Sequence, residues 1–259
     1  MNVSDLIYDT HAHYDHRQYA KDRDAVLGTL PQQGIGAVLN IGCDMQASYD
    51  SVALAEKYDF IYATVGVHPH DAKTLTDKNL TKLADLAQHK KVRAFGEIGL
   101  DFNRNFSPPE VQRKWFIRQS DVAKQLSLPV VIHARDADEA VYKIITDSPH
   151  RRGVIHAFSG DVALAQKYVD MGFYLGIGGI LTYDKTGRLE AVVKAIDLTW
   201  LLLETDCPFL TPAPFRGKRN ESAYLSYVVD AIAKLKNTSA QEVRAQTYIN
   251  GVNLFGGLT

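Results

Sequence analysis

Short apolar runs rich in β-branched residues alternate along this chain with longer segments in which apolar residues follow a helical spacing. The runs are strand-sized, and they recur about every 28 residues, which is the length of one βα unit. The pattern predicts eight strands, at Leu6–Asp9, Ala37–Ile41, Ile61–Val67, Val92–Glu97, Pro129–His133, Gly153–His156, Phe173–Ile177 and Leu201–Glu204.

The segments between these runs predict helices. Pro109–Gln125 carries apolar residues near helical spacing, with Ser107 as the expected N-cap and Pro108 or Pro109 in the first helical position. Another segment has the i, i+3, i+4, i+7 pattern of an amphipathic helix, at Leu80, Leu83, Ala84 and Ala87.

The alternation of strands and helices indicates the fold class. Nearly continuous apolar strands indicate a parallel sheet that is covered on both faces, and eight βα units in roughly 250 residues indicate a closed barrel. An open doubly wound sheet is the alternative, but it would usually carry a glycine-rich fingerprint after its first strand, where this chain reads DTHAHYD. We therefore expect an α/β fold, a (β/α)8 TIM barrel that forms one domain over residues 1–259.

Composition narrows the function classes. Hydrophobic residues make up 46% of the chain and charged residues 23%, which excludes a disordered chain. The net charge is −1, so a polyanion would have to be bound by a local patch. The two cysteines, Cys43 and Cys207, fit a reducing compartment. We see no signal peptide and no membrane-spanning run, and we expect a cytoplasmic protein with no membrane partner, with a monomer favoured.

Histidines and carboxylates gather at the carboxyl ends of the predicted strands, where barrel enzymes carry their catalytic groups. The first strand leads into His11 and His13, and their i, i+2 spacing turns both rings to the same side. Glu204 stands two residues before Asp206 and is expected on the same face. The other candidates stand at the ends of strands four, five, six and eight, at Glu97, His133, His156 and Asp206.

Imidazole nitrogens and carboxylate oxygens together suit one or two divalent transition metals. Six such residues at one end of the barrel, in register with the repeat, are hard to explain as separate accidents. A pair of ions needs a bridging carboxylate, and Glu97 is the residue in the right place. The chemistry predicted from the residues is metal-assisted hydrolysis.

Seven motifs resemble those of the TatD family and occur in the family's order between residue 7 and about residue 255. The resemblance implies a magnesium-dependent DNase, with 3′-to-5′ exonuclease action, and for some members the removal of D-amino acids from mischarged tRNA. It also implies that the six residues at the strand ends are the metal ligands. The motifs are His11-Ala-His13, GVHPH at 66–70, GEIGLDFNR at 96–104, IHARD at 132–136, HAFSG at 156–160, ETDCPFL at 204–210 and RGKRNES at 216–222.

One position separates this chain from other members of the wider amidohydrolase superfamily. Many of those relatives, including phosphotriesterases, place a carbamylated lysine at the end of strand four. This chain has Glu97 there, and no lysine lies between Val92 and Arg104. The position favours the TatD branch over a small-molecule amidohydrolase.

We expect two divalent ions per subunit, either Mg²⁺, Mn²⁺ or Zn²⁺. The expected ligands are His11, His13 and Asp206 for one ion and His133 and His156 for the other, with Glu97 bridging. A metal-bound hydroxide is expected to attack phosphorus, with Asp206 as the general base.

DNA, as a single strand or at its 3′ ends, is the expected substrate, and tRNA is the second possibility. We expect His68 to donate to a phosphoryl oxygen or to orient the water, and Arg219 and Asn220 to contact substrate phosphate. Three alternatives stay open: a D-aminoacyl-tRNA deacylase, a small-molecule amidohydrolase and a non-catalytic metal-binding protein.

Overall fold

The computed structural model describes residues 3–257, and the two residues at each end of the expected 1–259 domain lie outside the described residues. Eight parallel strands pair in the order in which they occur in the chain. They are β1 (Ile7–Ala12), β2 (Ile35–Asn40), β3 (Ile61–Val65), β4 (Val92–Asp101), β5 (Val130–Arg135), β6 (Gly153–Ile155), β7 (Phe173–Ile177) and β8 (Leu201–Leu203).

Helices connect the strands and cover the outside of the sheet. The α-helices within the described residues are α1 (Arg23–Thr29), α2 (Met45–Lys57), α3 (Asp77–Leu86), α4 (Pro109–Gln125), α5 (Asp138–Asp147), α6 (Val162–Asp170), α7 (Arg188–Ala195), α8 (Leu225–Lys236) and α9 (Ala240–Phe255). Short 3₁₀ helices lie at Val3–Asp5, Arg17–Tyr19, Leu30–Gln33, Pro69–Thr74, Gly179–Thr182, Leu198–Trp200 and Ser222–Tyr224. No helix within residues 3–257 is long and apolar enough to cross a membrane.

The predicted (β/α)8 barrel is confirmed, and each predicted run overlaps a strand. The largest differences lie at the carboxyl ends, because β1 continues past Asp9 to Ala12 and β4 continues past Glu97 to Asp101. The extension of β1 is Thr10-His11-Ala12 and that of β4 is Ile98-Gly99-Leu100-Asp101, so neither is a continuous apolar run. They carry the strands into the open end of the barrel.

The N-cap prediction for α4 is wrong. Pro108 is the N-cap residue and makes no side-chain capping bond, while Pro109 takes the first helical position as expected. The hydroxyl of Ser107 instead donates to the carbonyl of His70 at 2.8 Å and accepts from the amide of Lys73 at 3.0 Å. Ser107 therefore fixes the 3₁₀ helix that follows β3 instead of starting α4.

Alternating strand residues divide the core into an outer layer and a barrel interior. In β5, Val130 belongs to the large cluster that includes the helix residues, whereas its neighbour Val131 belongs to a smaller cluster with Tyr8. Tyr248 and Phe255 of α9 pack against Tyr8, with ring centroids 6.0 and 6.3 Å apart. Because Tyr8 lies at the start of β1, α9 covers the amino end of the barrel and leaves the carboxyl end, here called the mouth, for chemistry.

The barrel closes between its first and last strands beyond the end of β8. The amide of Asp206 donates to the carbonyl of His11 at 2.8 Å, and the amide of His13 donates to the carbonyl of Cys207 at 2.8 Å. The buried carboxylate of Asp9 accepts from the amide of Thr205 at 3.0 Å and so joins the same two segments. Closure therefore depends on backbone hydrogen bonds of three candidate ligand residues, His11, His13 and Asp206.

Candidate metal centre

Strand β1 and the segment after it bring two imidazoles to the mouth. His11 and His13 are buried, and their Nε2 atoms lie 3.2 Å apart. The i, i+2 spacing on an extended backbone accounts for this, because it places both rings on one side of the strand. The His11 ring also stacks on that of His156, with centroids 3.4 Å apart and planes inclined by 16°.

Glu97 of β4 lies at the centre of the histidines. Its Oε1 is 2.9 Å from Nδ1 of His133, 3.6 Å from Nε2 of His68 and 3.9 Å from Nε2 of His156. Its Oε2 is 3.4 Å from Nε2 of His11. One buried carboxylate thus contacts or approaches rings from four separate parts of the barrel.

Asp206 joins the cluster from the turn after β8. Its Oδ1 is 3.3 Å from Nε2 of His13 and 3.7 Å from Nε2 of His11. Its φ of 54° lies in the left-handed region, which aspartate tolerates better than most residues. Its side chain is 18% exposed, compared with 5% for Glu97, so it is the more open of the two carboxylates.

Potential ligand atoms form three groups, and within each group the atoms lie within 4.8 Å of one another. All six predicted ligands lie in this cluster, and His68 joins them. The structure groups His133 with His68, whereas the expected assignment paired it with His156. The groups are His11, His13 and Asp206; His11, Glu97 and His156; and His68, Glu97 and His133.

The chemistry of these donors fits a divalent metal ion. Each group combines imidazole nitrogen with carboxylate oxygen, and three protein ligands with an open position are typical of a catalytic metal site. The groups share His11 and Glu97, so they form one continuous site.

The electrostatics of the cluster favour ionised carboxylates. Burial raises the pKa of Glu97, but the neighbouring His68 and His11 lower it by more, and the resulting pKa lies well below the usual value. Burial also raises the pKa of Asp206, but the hydrogen bond from His13 and the charges of the neighbouring histidines together lower it below its usual value. Both side chains are therefore available as anionic ligands at neutral pH.

The histidines differ in their protonation. Burial lowers the pKa of His68 to about 3, so its ring is neutral at neutral pH. Its Nδ1 accepts from the amide of His70 at 3.1 Å, so Nε2, which faces Glu97, carries the ring proton. Burial lowers the pKa of His156 as well, but the carboxylate of Glu204 counteracts it and raises the pKa to about 9. An ion that binds His156 would consequently displace a proton from it.

Two further carboxylates stand behind the rings. Oδ2 of Asp101 accepts from Nε2 of His133 at 3.2 Å and from Nε2 of His70 at 2.8 Å, and Oε1 of Glu204 lies 3.0 Å from Nδ1 of His156. The other ring nitrogens of His133 and His156 face Glu97. Glu204 therefore lies behind His156 in the cluster.

The sequence does not predict that Asp101 and His70 belong to the site. The predicted fourth strand stops at Glu97, and extending it by four residues would have placed Asp101 on the same face by the strand period of two. The sequence GLD contains no apolar run, so the end of the strand could not be read from hydrophobicity.

The structure does not bring Arg219 and Asn220 into the cluster. The guanidinium of Arg219 donates to both carboxylate oxygens of Asp22, at 2.8 and 2.7 Å, and lies over the ring of Tyr19. The amide of Asn220 is buried and donates to the carbonyl of Phe209 at 2.7 Å. Both side chains hold the loop after β8 in place, and their contact with substrate phosphate stays a prediction.

A family model described as TatD related DNase matches residues 8–256. The chain belongs to the TatD family. YabD of Bacillus subtilis, which is named an uncharacterized metal-dependent hydrolase, is 39% identical over 252 residues that cover 96% of this chain and 99% of YabD. A 3′-5′ ssDNA/RNA exonuclease TatD from Erwinia amylovora is 37% identical over 247 residues, which cover 92% of this chain and 95% of that protein.

A solved structure agrees with this assignment. The crystal structure of YjjV, a TatD homologue from Escherichia coli, superposes with a TM-score of 0.92 at 30% identity and covers 99% of this chain and 100% of the other. The predicted family is therefore confirmed, and this TatD-family protein is a metal-dependent hydrolase. The donor cluster at the mouth offers the types of ligand that a metal-dependent hydrolase needs.

Proposed function

We propose that this TatD-family hydrolase cleaves phosphodiester bonds of DNA and removes nucleotides from the 3′ end of a single strand. The observation that carries the proposal is the cluster at the mouth, in which five histidines and Asp206 surround Glu97. The relatives named as 3′-5′ ssDNA/RNA exonucleases support the choice of substrate.

The residues of the cluster would hold the metal in neighbouring groups. His11, His13 and Asp206 would bind one divalent ion, and Glu97 would contribute to a second position with His133. His68 lies beside this second position, and because its Nδ1 accepts from the amide of His70, its Nε2–H is placed to donate to a phosphoryl oxygen or to the attacking water. Bound divalent ions would supply an acidified water and would neutralise charge on the phosphoryl oxygens.

Asp206 is the residue that we assign to proton transfer. Its carboxylate is the more exposed one of the cluster, and its lowered pKa keeps it ionised at neutral pH, so it can accept a proton from the attacking water. The contact of its Oδ1 with His13 at 3.3 Å fixes the orientation of the acceptor. Glu97 is nearly enclosed by rings, which suits a ligand.

The test uses protein freed of metal by a chelator and single-stranded DNA that is labelled at its 5′ end. With Mg²⁺ or Mn²⁺ restored, we expect a ladder that shortens from the 3′ end. Glu97→Gln should lower the rate by more than about 100-fold, because removing a ligand exceeds the effect of outer partners. Asp136→Asn changes an exposed carboxylate beside the mouth that accepts from the Asn103 amide, and it should keep the wild-type rate.

Absence of shortening with both ions would overturn the DNA proposal. The same metal-restored protein would then be assayed for release of a D-amino acid from D-aminoacyl-tRNA, because the deacylase would use the same cluster on a carboxyl ester. Shortening that persists in Glu97→Gln would show that the nuclease activity arises outside the cluster.

A further inference from the structure

The loop after β8 places an arginine in an unusual setting at the mouth. The guanidinium carbon of Arg216 lies 3.8 Å from the centre of the Tyr183 ring, so the charged group rests on the face of the ring. Arg216 is exposed, and within residues 3–257 it has no ion pair and no hydrogen bond. Its position is therefore fixed by stacking while its N–H groups stay free.

Arg219, three residues further along the same loop, differs from Arg216 because its guanidinium already has hydrogen-bond partners. It donates to both oxygens of Asp22 and to the carbonyl of Gln18 at 2.9 Å. An incoming phosphate would have to displace a carboxylate from Arg219, whereas it would find the donors of Arg216 unoccupied. The structure thus favours Arg216 over Arg219 as the phosphate-binding arginine of this loop.

The loop that carries Arg216 is held on both sides. The amide of Ala213 donates to the hydroxyl of Thr182 at 2.8 Å, which joins the loop to the segment after β7. Phe215 stacks on Tyr224, with ring centroids 4.5 Å apart and planes inclined by 12°. A guanidinium on an anchored loop loses less conformational freedom when it binds a ligand.

The Arg216–Tyr183 pair faces the same end of the barrel as the donor cluster. Tyr183 follows β7 and Arg216 follows β8, and both strands end at the mouth. Burial raises the pKa of the Tyr183 phenol, and the charges of Arg216 and Asp206 also act on it, the first lowering and the second raising the pKa. The phenol therefore lies within electrostatic reach of both the arginine and the candidate ligand.

We propose that Arg216, held on the ring of Tyr183, binds a backbone phosphate of the nucleic-acid substrate next to the phosphate that is cleaved. The proposal rests on the proposed phosphodiesterase function. A guanidinium that stacks through its face keeps its edge for two parallel hydrogen bonds to phosphate oxygens. Because the net charge of the chain is −1, a local cation of this kind is what capture of a polyanion requires.

The experiment compares Arg216→Ala with Lys218→Ala, which removes a positive charge from an exposed side chain of the same loop. For shortening of single-stranded DNA, Arg216→Ala should raise KM roughly tenfold and leave kcat nearly unchanged, because a charged hydrogen bond is lost away from the reacting phosphate. Lys218→Ala should change KM by less than about twofold. Arg216→Lys should restore only part of the affinity, since lysine forms no planar pair of bonds.

A second measurement separates this proposal from the proposed function. Binding of fluorescent single-stranded DNA to the Glu97→Gln protein is followed by anisotropy at several salt concentrations. Adding Arg216→Ala should reduce the slope of log Kd against log salt by about 0.7, the value for one phosphate contact on a single strand. Melting curves check that each variant stays folded.

Equal KM values and equal salt slopes for Arg216→Ala and Lys218→Ala would overturn the role of Arg216 and leave the nuclease standing. A wild-type protein that neither shortens DNA nor binds it in a salt-dependent manner would overturn the proposed function together with this site. An effect on kcat alone would also contradict the proposal, because it would place Arg216 at the reacting phosphate.

Discussion

Carboxylates behind the imidazoles set the orientation of the donor rings. Besides His133 and His70, the buried side chain of Asp101 accepts from the amides of Asn103 and Arg104 at 3.0 and 2.9 Å. Four donors converge on one carboxylate, which keeps it ionised and immobile. A histidine that donates one N–H to such a group has its other nitrogen fixed for a metal.

Replacing Asp101 by Asn should therefore weaken metal binding. The amide keeps one acceptor for the backbone, but it removes the negative charge that the rings of His133 and His70 share. We expect the affinity for Mn²⁺ or Zn²⁺, measured by competition with a fluorescent chelator, to fall about 10- to 100-fold. Asp71→Asn, which changes an exposed acid next to His70, is the control. Unchanged metal affinity in a folded Asp101→Asn protein would show that metal binding does not need the charge of Asp101 beside the His133 ring.

For individual residues, the sequence predicts the candidate metal ligands better than the side chains that hold those ligands in position. His11, His13 and Asp206 could be placed because each comes within four residues of the end of a predicted apolar run. Asp101 could not, because Glu97 and Gly99 interrupt the apolar run of β4 before it, and the ion pair of Arg219 could not, because Asp22 is distant in the chain. Pairings of that kind depend on how loops from different repeats meet.

Among the elements, β7 supports the cluster through a residue with no side chain. A Cβ atom on Gly176 would lie 2.1 Å from Oε2 of Glu204, so the carboxylate occupies the space that any other residue would need. Glu204 in turn accepts from the amide of Ala157 at 2.6 Å and lies beside His156. The packing of β7 against the segment after β8 therefore determines where the His156 ring lies.

Gly176→Ala should destabilise the protein and disturb the cluster. We expect the free energy of unfolding in urea to fall by about 1–3 kcal/mol, as for other overpacked core positions, and the metal affinity to fall with it. Gly28→Ala is the matched control, because a Cβ atom there meets nothing within 4 Å and the residue lies in α1. That change should raise stability by up to about 1 kcal/mol. Wild-type stability and metal affinity in Gly176→Ala would contradict the proposed packing.

The elements themselves were predictable to different degrees. Apolar runs located the eight strands because strands that are buried on both faces must be apolar throughout. Their carboxyl ends are less predictable, because β1 and β4 continue into sequence in which polar residues or glycine interrupt the apolar run. The local pattern also predicts the wrong N-cap for α4. Ser107 donates to the carbonyl of His70 instead, and no local pattern indicates that bond.

In the whole molecule, the donor cluster joins strands from opposite sides of the barrel. Candidate ligands come from β1, β4 and β5 and from the segments after β1, β3, β6 and β8, so an ion bound in the native cluster would connect six of the eight strands. The unfolded chain has no such arrangement of donors. Binding energy should therefore appear as stability of the fold.

Adding Mn²⁺ to chelator-treated protein at about 100 times its Kd should stabilise the native state by about 2.7 kcal/mol. For a chain of this size the melting temperature should rise by about 5–10 °C, which differential scanning calorimetry can resolve. Glu97→Gln should reduce the shift strongly, since this carboxylate takes part in two of the three groups. An equal shift in that variant would place the stabilising ion elsewhere.

The closure of the barrel also has a consequence for biosynthesis. The chain is made from its amino terminus, so His11 and His13 are synthesised first, while the backbone partners that they need, Asp206 and Cys207, follow only after β8. A nascent polypeptide still attached to the ribosome and its RNA thus lacks a complete donor set for most of its synthesis. Under the proposed function, hydrolytic competence and barrel closure would arise together, after the residues that follow β8 have been added.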